Sequence, residues 1–434
     1  MQQAISNALA KIDTLSKTKP IKIISHLDTD GITSAAIFGR MLQSWHKTYS
    51  LQIIKDLEES FIAKLPETHI LIFLGLASES LSALAQKKTE IFIFDHHEIS
   101  ADIPQNITII NLQLVQAEPL SSAAICYLTA RTLAAQNKDL AYLAVLGMVG
   151  NQLEKNISPQ YEEILREAET VIKRGLLLYP ATRPLDKTLE YCSNPYIPNV
   201  TGSYRGVIEL LRDAHIVREQ DKFKSLLELS DNEMGRLITA IAMRIPQRTL
   251  EQNIGNLYII KFFNQQADAR ELSALINACS RMDQPALALS FCLGNKEAKE
   301  QAERLYTEYK QHLIAGLKYA QENTHITGPL YTIINAQDKI KDTIIGTVTS
   351  MLSASPAFEE GTALIGLAYA NNKIKISAQM VGKQGRNVHE LVHNIIIKLG
   401  GEIGGQPFAT GGLIDKDKEQ LFITELQSSL KITV

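Results

Sequence analysis

Short apolar segments alternate with amphipathic segments along the first third of the chain. Segments with the length and the Ile, Leu and Phe content of buried strands lie at 20–27, 50–57, 69–76 and 90–97. Segment 31–45 has helical periodicity and separates the first two. Strand, helix and strand at this spacing favour right-handed crossovers and a parallel sheet that is covered by helices on both faces. The sequence therefore predicts an α/β fold whose N-terminal domain is built on a parallel sheet.

The pattern changes twice along the rest of the chain. The middle is mainly helical with charged faces, and a strand-like stretch at 256–263 indicates a small insertion. Near the C-terminus the alternation of apolar strands and helices returns. These changes predict an N-terminal domain at 1–160, a helical connector at 161–326 and a smaller C-terminal α/β domain at 327–434.

Three segments of the middle and C-terminal regions have distinctive composition. Residues 158–178 continue the helical pattern and predict a helix. Residues 179–203 contain several Pro and Tyr residues and predict a loop that is long for a compact domain. Residues 400–412, GGEIGGQPFATGG, contain six glycines in thirteen positions and predict a glycine-rich loop.

The bulk composition limits the partners that the chain can attract. Its 434 residues carry a formal net charge of −3, so a nucleic-acid surface requires a local basic patch. The four cysteines are far apart and form no CxxC pair, which argues against a zinc knuckle or a disulfide framework. The N-terminus lacks the features of a signal peptide, and no window is apolar enough for a membrane span. We therefore expect a cytoplasmic protein without a membrane partner.

Three metal-ligating side chains follow the first predicted strand, in the stretch SHLDTDG. Alternate residues of an extended segment point the same way, so His26, Asp28 and Asp30 can face one ion. Two carboxylates and an imidazole suit Mn²⁺ or Mg²⁺ better than a thiolate-preferring metal. The alternative is that Asp30 caps the following helix while the other two side chains are solvated.

A second polar group, FDHHE at 94–98, closes the fourth predicted strand. Parallel α/β sheets bind ligands at the carboxyl ends of their strands, so this rule brings Asp95, His96 and His97 close to the first group. Alone, the group could be a polar turn with two surface histidines. Two such groups at the ends of neighbouring strands together favour a metal centre.

The stretches HLDTDGITSA and FDHHE resemble two motifs of the DHH phosphoesterase superfamily. GGEIGGQPFATGG resembles the glycine-rich loop of the DHH-associated C-terminal domain. The order and separation of the three stretches resemble those in the RecJ-like branch, particularly in its archaeal members. These archaeal proteins also carry a loop that is similar to residues 179–203.

The resemblance implies a two-metal centre that hydrolyses phosphodiesters. One metal would be held by His26 and Asp28, and the other by Asp30 and His96. Asp95 would orient a histidine, and His97 would face the scissile phosphate.

Four positions depart from the family pattern. Gly75 stands where the family has an aspartate that bridges both metals, and no aspartate lies between residues 57 and 94 to replace it. Asn151 replaces the last aspartate ligand, Gln406 a substrate-binding histidine, and Gln379 the expected arginine. Losing one transition-state contact lowers a rate about 10²–10³-fold. The departures therefore favour a vestigial centre, for which we expect no cofactor or at most one Mn²⁺ or Mg²⁺ ion.

The C-terminal region could still hold nucleic acid. A stretch without acidic residues, 371–389, carries four cations: Lys373, Lys375, Lys383 and Arg386. The glycine-rich loop adds backbone N–H groups at Gly404, Gly405 and Gln406. Cations and backbone amides together bind phosphates, so we expect a surface for single-stranded DNA. The alternatives are a solvated strand face and a tight structural turn.

These features favour a RecJ-like protein without nuclease activity. Within the branch that the resemblance indicates, the eukaryotic relative is also degenerate and joins MCM to GINS in the CMG replicative helicase, and archaeal counterparts associate with GINS. We therefore expect a DNA-replication scaffold with GINS and MCM as partners. Two alternatives stay open: a single-strand-specific exonuclease with weak or single-metal activity, and a DHH protein that binds a small molecule or nucleotide.

Overall fold

The structure, a computed structural model, describes residues 2–99, 102–114, 120–155, 157–192, 195, 197–323, 325–355, 357–382 and 385–431. The chain forms two compact units, residues 1–303 and 304–434. The predicted α/β fold is confirmed, with its N-terminal parallel sheet, mainly helical middle region and C-terminal α/β region. The predicted domain boundaries near residues 160 and 326 stay a prediction.

The first part of the chain forms a sheet of five parallel strands in the order β2-β1-β3-β4-β5. Its elements are α1 (Gln2–Leu15), β1 (Ile21–His26), α2 (Thr29–Ser44), β2 (Tyr49–Ile54), α3 (Glu59–Lys64), β3 (Ile70–Leu74), α4 (Leu81–Ala85), β4 (Ile91–Phe94), β5 (Ile107–Ile110), α5 (Ser122–Leu133), α6 (Ala141–Gly150) and α7 (Pro159–Glu167).

The position of the site follows from this topology. Every residue of β3 and β4 is buried, as expected for apolar strands covered on both faces of a parallel sheet. The strand order reverses between β1 and β3, because the chain passes from β1 to β2 on one side and then to β3 on the other. Ligands of open α/β sheets bind in the crevice at such a reversal. The crevice here lies at the carboxyl ends of β1 and β3.

The middle region combines helices with a small antiparallel sheet in the order β6-β7-β8. Its elements are β6 (Val171–Leu176), α8 (Leu185–Glu190), α9 (Tyr204–Asp213), α10 (Asp231–Ala242), α11 (Gln247–Gln252), β7 (Ile254–Phe262), β8 (Gln265–Asp268), α12 (Ala269–Arg281), α13 (Pro285–Cys292) and α14 (Lys296–Glu322).

Two predictions about this region are wrong. The helix predicted over 158–178 ends as α7 at Glu167, and the chain then turns through Glu169, whose φ is +51°, into strand β6. β6 begins with two β-branched residues and pairs with β7, so strand pairing overrides the helical periodicity. The long loop predicted at 179–203 contains helix α8, because Leu185 and Leu189 are buried in the hydrophobic core of this region.

The C-terminal unit contains a sheet in the order β13-β14-β12-β11-β10-β9. β10 and β11 are parallel, and the other neighbouring strands are antiparallel. The elements after α14 are β9 (Ile326–Gly328), β10 (Tyr331–Gln337), α15 (Asp342–Ser353), β11 (Ala363–Ala370), β12 (Lys373–Met380), α16 (Val388–Lys398), β13 (Glu402–Gln406), β14 (Ala409–Asp415) and α17 (Glu419–Lys431).

The predicted glycine-rich loop is instead a β-hairpin. β13 and β14 pair from Glu402 to Gln406, and Pro407 and Phe408 form the turn. Gly405 has φ +142°, and a Cβ there would lie 2.6 Å from the carbonyl oxygen of Ala409. The glycines therefore allow two strands to approach closely, rather than leaving the segment without regular structure.

The four cysteines, Cys126, Cys192, Cys279 and Cys292, are buried. Within the described ranges, no helix is both long and apolar enough to cross a membrane.

Candidate active site

Residues from six elements meet at the crevice. His26 and Asp28 lie at the end of β1, Asp30 lies in the first turn of α2, and Gly75 follows β3. The group Asp95–His97 follows β4, and Asn151 is the C-cap of α6. The N-terminus of α5 also faces the crevice. The structure thus brings together the sequence-predicted residues of both motifs and the two positions of departure at 75 and 151.

Asp28, not Asp30, caps helix α2. One oxygen of the Asp28 carboxylate accepts a hydrogen bond from the Gly31 N–H at 2.7 Å. The alternative in which Asp30 provides the cap is therefore wrong. An N-cap residue needs non-helical backbone geometry, and Asp28 is extended. Asp30 instead lies inside the helix, and its side chain points into the protein.

His26 and Asp28 form a pair at the mouth of the crevice. His26 Nδ1 lies 2.9 Å from Asp28 Oδ2, and about a third of each side chain is exposed, 34% and 39%. This nitrogen is not aligned for a hydrogen bond and has no hydrogen-bond partner among the described residues. The partly enclosed position lowers the pKa of His26, but Asp28 outweighs this effect and the pKa is raised. The distance between the two side chains is that of an ion pair, and it is also close to the distance of about 3 Å between two neighbouring ligands of an octahedral ion.

Asp30 is buried and fully engaged with the protein. The Ser122 N–H donates to Oδ2 and the Ala123 N–H to Oδ1, both at 2.8 Å. These N–H groups belong to the first turn of α5, where the helix dipole favours a carboxylate. Burial raises the pKa of Asp30, and the two backbone hydrogen bonds offset only part of this effect.

Asn151 lies between Asp30 and His96. Its Nδ2 donates to Asp30 Oδ2 at 2.9 Å and lies 3.3 Å from His96 Nε2. The other ring nitrogen of His96 lies 3.0 Å from Ser122 Oγ and 3.5 Å from Asp30 Oδ2. An amide group therefore joins the two side chains that the family resemblance assigns to the second metal.

Asp95 and His97 form a strongly polarised pair beside this group. Asp95 is buried. Its Oδ1 lies 2.8 Å from His97 Nδ1 and accepts from the His96 backbone N–H, also at 2.8 Å. Its Oδ2 accepts from the Ser78 hydroxyl at 2.6 Å. Burial alone would raise the pKa of Asp95, but His97 and Ser78 outweigh it and lower this pKa to about 2. The hydrogen bond to Asp95 raises the pKa of His97 to about 9. His97 is therefore a cation at neutral pH with half of its side chain exposed.

Gly75 lies where the family has the bridging aspartate, and it has no side chain that could bind a metal. Its φ is +70°, and its N–H donates to the Phe94 carbonyl at 2.9 Å. A Cβ here would meet Ser122 Oγ at 3.5 Å and Gly31 Cα at 3.7 Å, which are ordinary contacts. Asp and Asn tolerate the left-handed region better than other residues with a Cβ. The position thus has room for an aspartate that the sequence lacks.

The donor set fits a cation only in part. Asp95, His96 and His97 offer ligand atoms that lie within 4.8 Å of one another, but those of Asp95 and His97 already pair with each other. His26 Nδ1 has no hydrogen-bond partner among the described residues, although it lies 2.9 Å from Asp28 Oδ2. The chemistry of the site therefore suits one hard cation at its mouth better than two at its centre.

The predicted nucleic-acid residues all belong to the C-terminal unit. Gly404, Gly405 and Gln406 are exposed on β13, an edge strand whose alternate N–H groups face away from the sheet. Lys373 pairs with Glu402 at 3.3 Å, and Lys375 passes over Gly411 of the hairpin.

The remaining predicted residues of this unit differ in their surroundings. Arg386 donates to the Leu430 carbonyl at 3.0 Å. Lys383 lies outside the described residues. Gln379 faces Ala409 across the β12–β14 ladder. The assignment of these residues to nucleic-acid binding stays a prediction.

Sequence reasoning missed the hydroxyl groups that complete the site. Ser78 donates to Asp95, and Ser122 contributes both its N–H and its hydroxyl. The Tyr161 hydroxyl accepts from the Ser121 N–H at 2.7 Å. The pair Ser121–Ser122 before an apolar helix is a recognisable N-cap signal. That signal indicates a helix N-terminus aimed at the crevice, and it was available in the sequence.

Comparison with known proteins places these observations in a family. The N-terminal domain of the DHH family matches residues 20–148, and a DHH-CID domain matches residues 178–257. The chain thus contains a DHH-family N-terminal domain and a DHH-CID domain. The DHH-CID match also identifies a domain in the region that the sequence pattern describes only as a helical connector.

The chain is 26% identical over 421 residues to an uncharacterized protein of Methanocaldococcus jannaschii, covering 93% of this chain and 91% of the relative. Its fold is similar to CDC45 from Entamoeba histolytica over 99% of both chains, with a TM-score of 0.68 and 12% identity. It is also similar to exonuclease RecJ bound to manganese, over 98% of this chain and 93% of that one, with a TM-score of 0.59 and 15% identity. The fold is thus a RecJ-like and CDC45-like DHH fold.

Proposed function

We propose that this DHH protein is a non-catalytic scaffold of a DNA-replication helicase assembly that joins MCM to GINS and contacts single-stranded DNA. The observation that carries the proposal is the pair of departures in the candidate active site. Gly75 supplies no bridging carboxylate, and Asn151 supplies an amide hydrogen-bond donor where a hard cation needs an oxygen ligand. A two-metal phosphodiester cleavage needs both.

The comparisons support the same branch of the family. The likeness to CDC45 extends over 99% of both chains, so the chain contains no large region that CDC45 lacks. The DHH-CID domain occupies residues 178–257, in the middle region of the chain. The exposed face of the middle region is our candidate for the partner contact.

A second candidate function is a weak exonuclease that uses a single ion. The observation that favours it is the available nitrogen of His26 beside Asp28 Oδ2. With an ion bound there, the protonated His97 would face a phosphate from the other side of the crevice. Such an enzyme would still lack the charge that bridges two ions.

A nuclease assay separates the two candidates. We would incubate the full-length wild type and the Gly75→Asp/Asn151→Asp double variant with end-labelled single-stranded DNA and RNA in Mn²⁺. We expect no Mn²⁺-dependent cleavage by the wild type, and a gain in the double variant of at least about 10²-fold over background. Gly75→Asn/Asn151→Asp is the matched control, because asparagine tolerates the same backbone conformation but supplies no charge. Robust cleavage by the wild type would overturn the scaffold proposal.

A capture experiment tests the scaffold from the other side. Immobilised full-length protein should retain purified archaeal GINS and MCM. The double variant should retain them equally, because positions 75 and 151 lie inside the crevice rather than on a docking face. If neither the wild type nor the variant retains either partner while both stay folded, the proposed partners are wrong.

A further inference from the structure

The amide of Asn151 occupies the centre of the second metal position. It donates to Asp30 Oδ2 and lies within hydrogen-bond distance of His96 Nε2, which are the two ligand atoms that a cation would join there. A side-chain amide nitrogen carries two hydrogens, each with a partial positive charge, so one NH₂ group can satisfy both acceptors.

The orientation of this amide is fixed by its neighbours. The reversed orientation would place Asn151 Oδ1 about 2.9 Å from the Asp30 carboxylate, with two acceptors facing each other. With Nδ2 facing Asp30, the His96 tautomer that carries its proton on Nδ1 fits both neighbours. In that tautomer Nε2 accepts from the Asn151 amide at 3.3 Å, and Nδ1 donates to Ser122 Oγ at 3.0 Å.

Asp30 has no free direction left toward an ion. Its Oδ2 accepts from the Ser122 N–H and from Asn151, which uses both lone pairs of that oxygen. Its Oδ1 accepts from the Ala123 N–H and is covered on another side by Gly147, where a Cβ would lie 2.6 Å from the oxygen. A cation could reach Asp30 only by displacing the Asn151 amide.

We infer that Asn151 replaces the second cation of the DHH centre, so that the chain's own amide holds Asp30 and His96 together and the centre takes at most one divalent ion, at His26 and Asp28. The inference deepens the proposed function, because it gives the loss of chemistry a structural cause. Its tests measure ion binding and stability, whereas the proposed function is tested by partner capture, so either can fail without the other.

The first test counts ions. Calorimetric titration of the full-length wild type with Mn²⁺ should show no more than one ion per chain, and Asp28→Asn should abolish that binding. The Asn151→Asp variant should gain one further Mn²⁺ per chain. Two bound Mn²⁺ ions in the wild type, with the second lost on substitution of Asp30, would overturn the inference.

The second test measures stability with and without the ion. Asn151→Asp places a second carboxylate about 2.9 Å from Asp30. Without metal, the thermal midpoint should fall by several degrees relative to the wild type, and saturating Mn²⁺ should restore it. Asn151→Ala removes the amide without adding a ligand, so its midpoint should fall and Mn²⁺ should not restore it.

Asn137→Asp provides the matched control. Asn137 is also buried in this unit, and its Nδ2 donates to the Ala130 carbonyl at 2.8 Å, away from the crevice. Asn137→Asp should lower the thermal midpoint, and Mn²⁺ should not restore it. Equal rescue of Asn137→Asp and Asn151→Asp by Mn²⁺, or an Asn151→Ala variant as stable as the wild type, would contradict the inference. If Asn151→Asp fails to fold, the Asn151→Ala comparison still decides.

Discussion

Gly147 shows how closely Asp30 is enclosed. A Cβ at this position would lie 2.5 Å from Ala123 Cβ and 2.6 Å from Asp30 Oδ1. Distances this short require a shift of α6 against α5 or of the carboxylate itself. The glycine is therefore part of the site, although it contributes no side chain to it.

We expect Gly147→Ala to lower the free energy of unfolding by about 1–3 kcal/mol, because it overpacks a tight contact between two helices. Gly235→Ala is the control: Gly235 lies within α10 with nothing within 4 Å of a Cβ, so alanine should raise stability by about 0.5–1 kcal/mol. Urea unfolding of both variants beside the wild type checks the pair. A Gly147→Ala protein as stable as the wild type would show that the enclosure is loose.

Ser78 offers a second test at the same scale. Its hydroxyl donates to the buried Asp95 carboxylate at 2.6 Å. Ser78→Ala leaves one carboxylate oxygen without this donor, so we expect a loss of about 1–3 kcal/mol in unfolding free energy. Ser353→Ala, on an exposed hydroxyl that bonds only its own helix, should change stability by less than about 0.5 kcal/mol. Similar losses in both variants would contradict a special role for Ser78.

The sequence predicts the residues of the site better than their roles. The positions of His26, Asp28 and the DHH group follow from strand ends, which apolar runs reveal. The exchange of roles between Asp28 and Asp30 does not follow, because both residues are consistent with an N-cap and only the start of α2 decides. The contacts of Ser122 to Asp30 connect residues 92 positions apart, and no local pattern encodes them.

At the scale of elements, buried parallel strands are the most predictable part of the fold. β3 and β4 are continuous apolar runs, and such runs have few alternatives. β6 is harder to predict, because its sequence continues the periodicity of α7 and its strand conformation depends on pairing with β7, more than 75 residues away. The hairpin β13–β14 is missed because six glycines normally indicate a loop.

The hairpin makes two adjacent glycines unequal. Gly405 has φ +142° and would clash with Ala409 and Thr410, whereas a Cβ at Gly404 meets nothing within 4 Å. We expect Gly405→Ala to destabilise the C-terminal unit by about 1–3 kcal/mol and Gly404→Ala to change it by less than about 0.5 kcal/mol. Hydrogen exchange of β13 and β14 in both variants measures the difference. Equal protection in the two variants would mean that the strands are not paired as described.

The start of α10 gives the fold an acid-sensitive element. Glu233 accepts from the Ser230 N–H at 2.7 Å and from Lys224 Nζ at 3.0 Å, and Ser230 Oγ accepts from the Glu233 N–H in return. The hydrogen bond from the Ser230 backbone, followed by Lys224, lowers the pKa of Glu233 to about 2. A carboxylate with a depressed pKa stabilises the fold above its unfolded pKa of about 4.3 and loses that contribution as the pH falls toward 2.

We therefore expect Glu233→Gln to be less stable than the wild type at pH 7 and closer to it at pH 3, since glutamine keeps the capping geometry without the charge. Urea midpoints of both proteins at the two pH values measure the effect. A stability difference between the two proteins that is larger at pH 3 than at pH 7 would contradict a stabilising role for the Glu233 carboxylate.

At the scale of the whole molecule, the centre does not need an ion to hold the chain together. Three N–H donors already compensate Asp30, and Ser78, His97 and a backbone N–H compensate Asp95. We expect wild-type protein treated with EDTA to melt within about 2 °C of untreated protein, because a weakly held ion adds little to stability. A large fall in the melting temperature that Mn²⁺ reverses would show that a tightly bound metal supports the fold.

The joint geometry of Gly75 and Asn151 also has a consequence for the history of such a chain. Restoring an aspartate at 75 alone adds a ligand to a centre in which the amide still occupies the second position. Restoring an aspartate at 151 alone lets one further cation bind between two carboxylates, but it supplies no bridge to a first ion. Neither single reversion regains two-ion chemistry, and the second lowers stability in the absence of metal. Two-ion chemistry therefore returns only when both aspartates are present, so selection for that chemistry cannot act on either reversion alone.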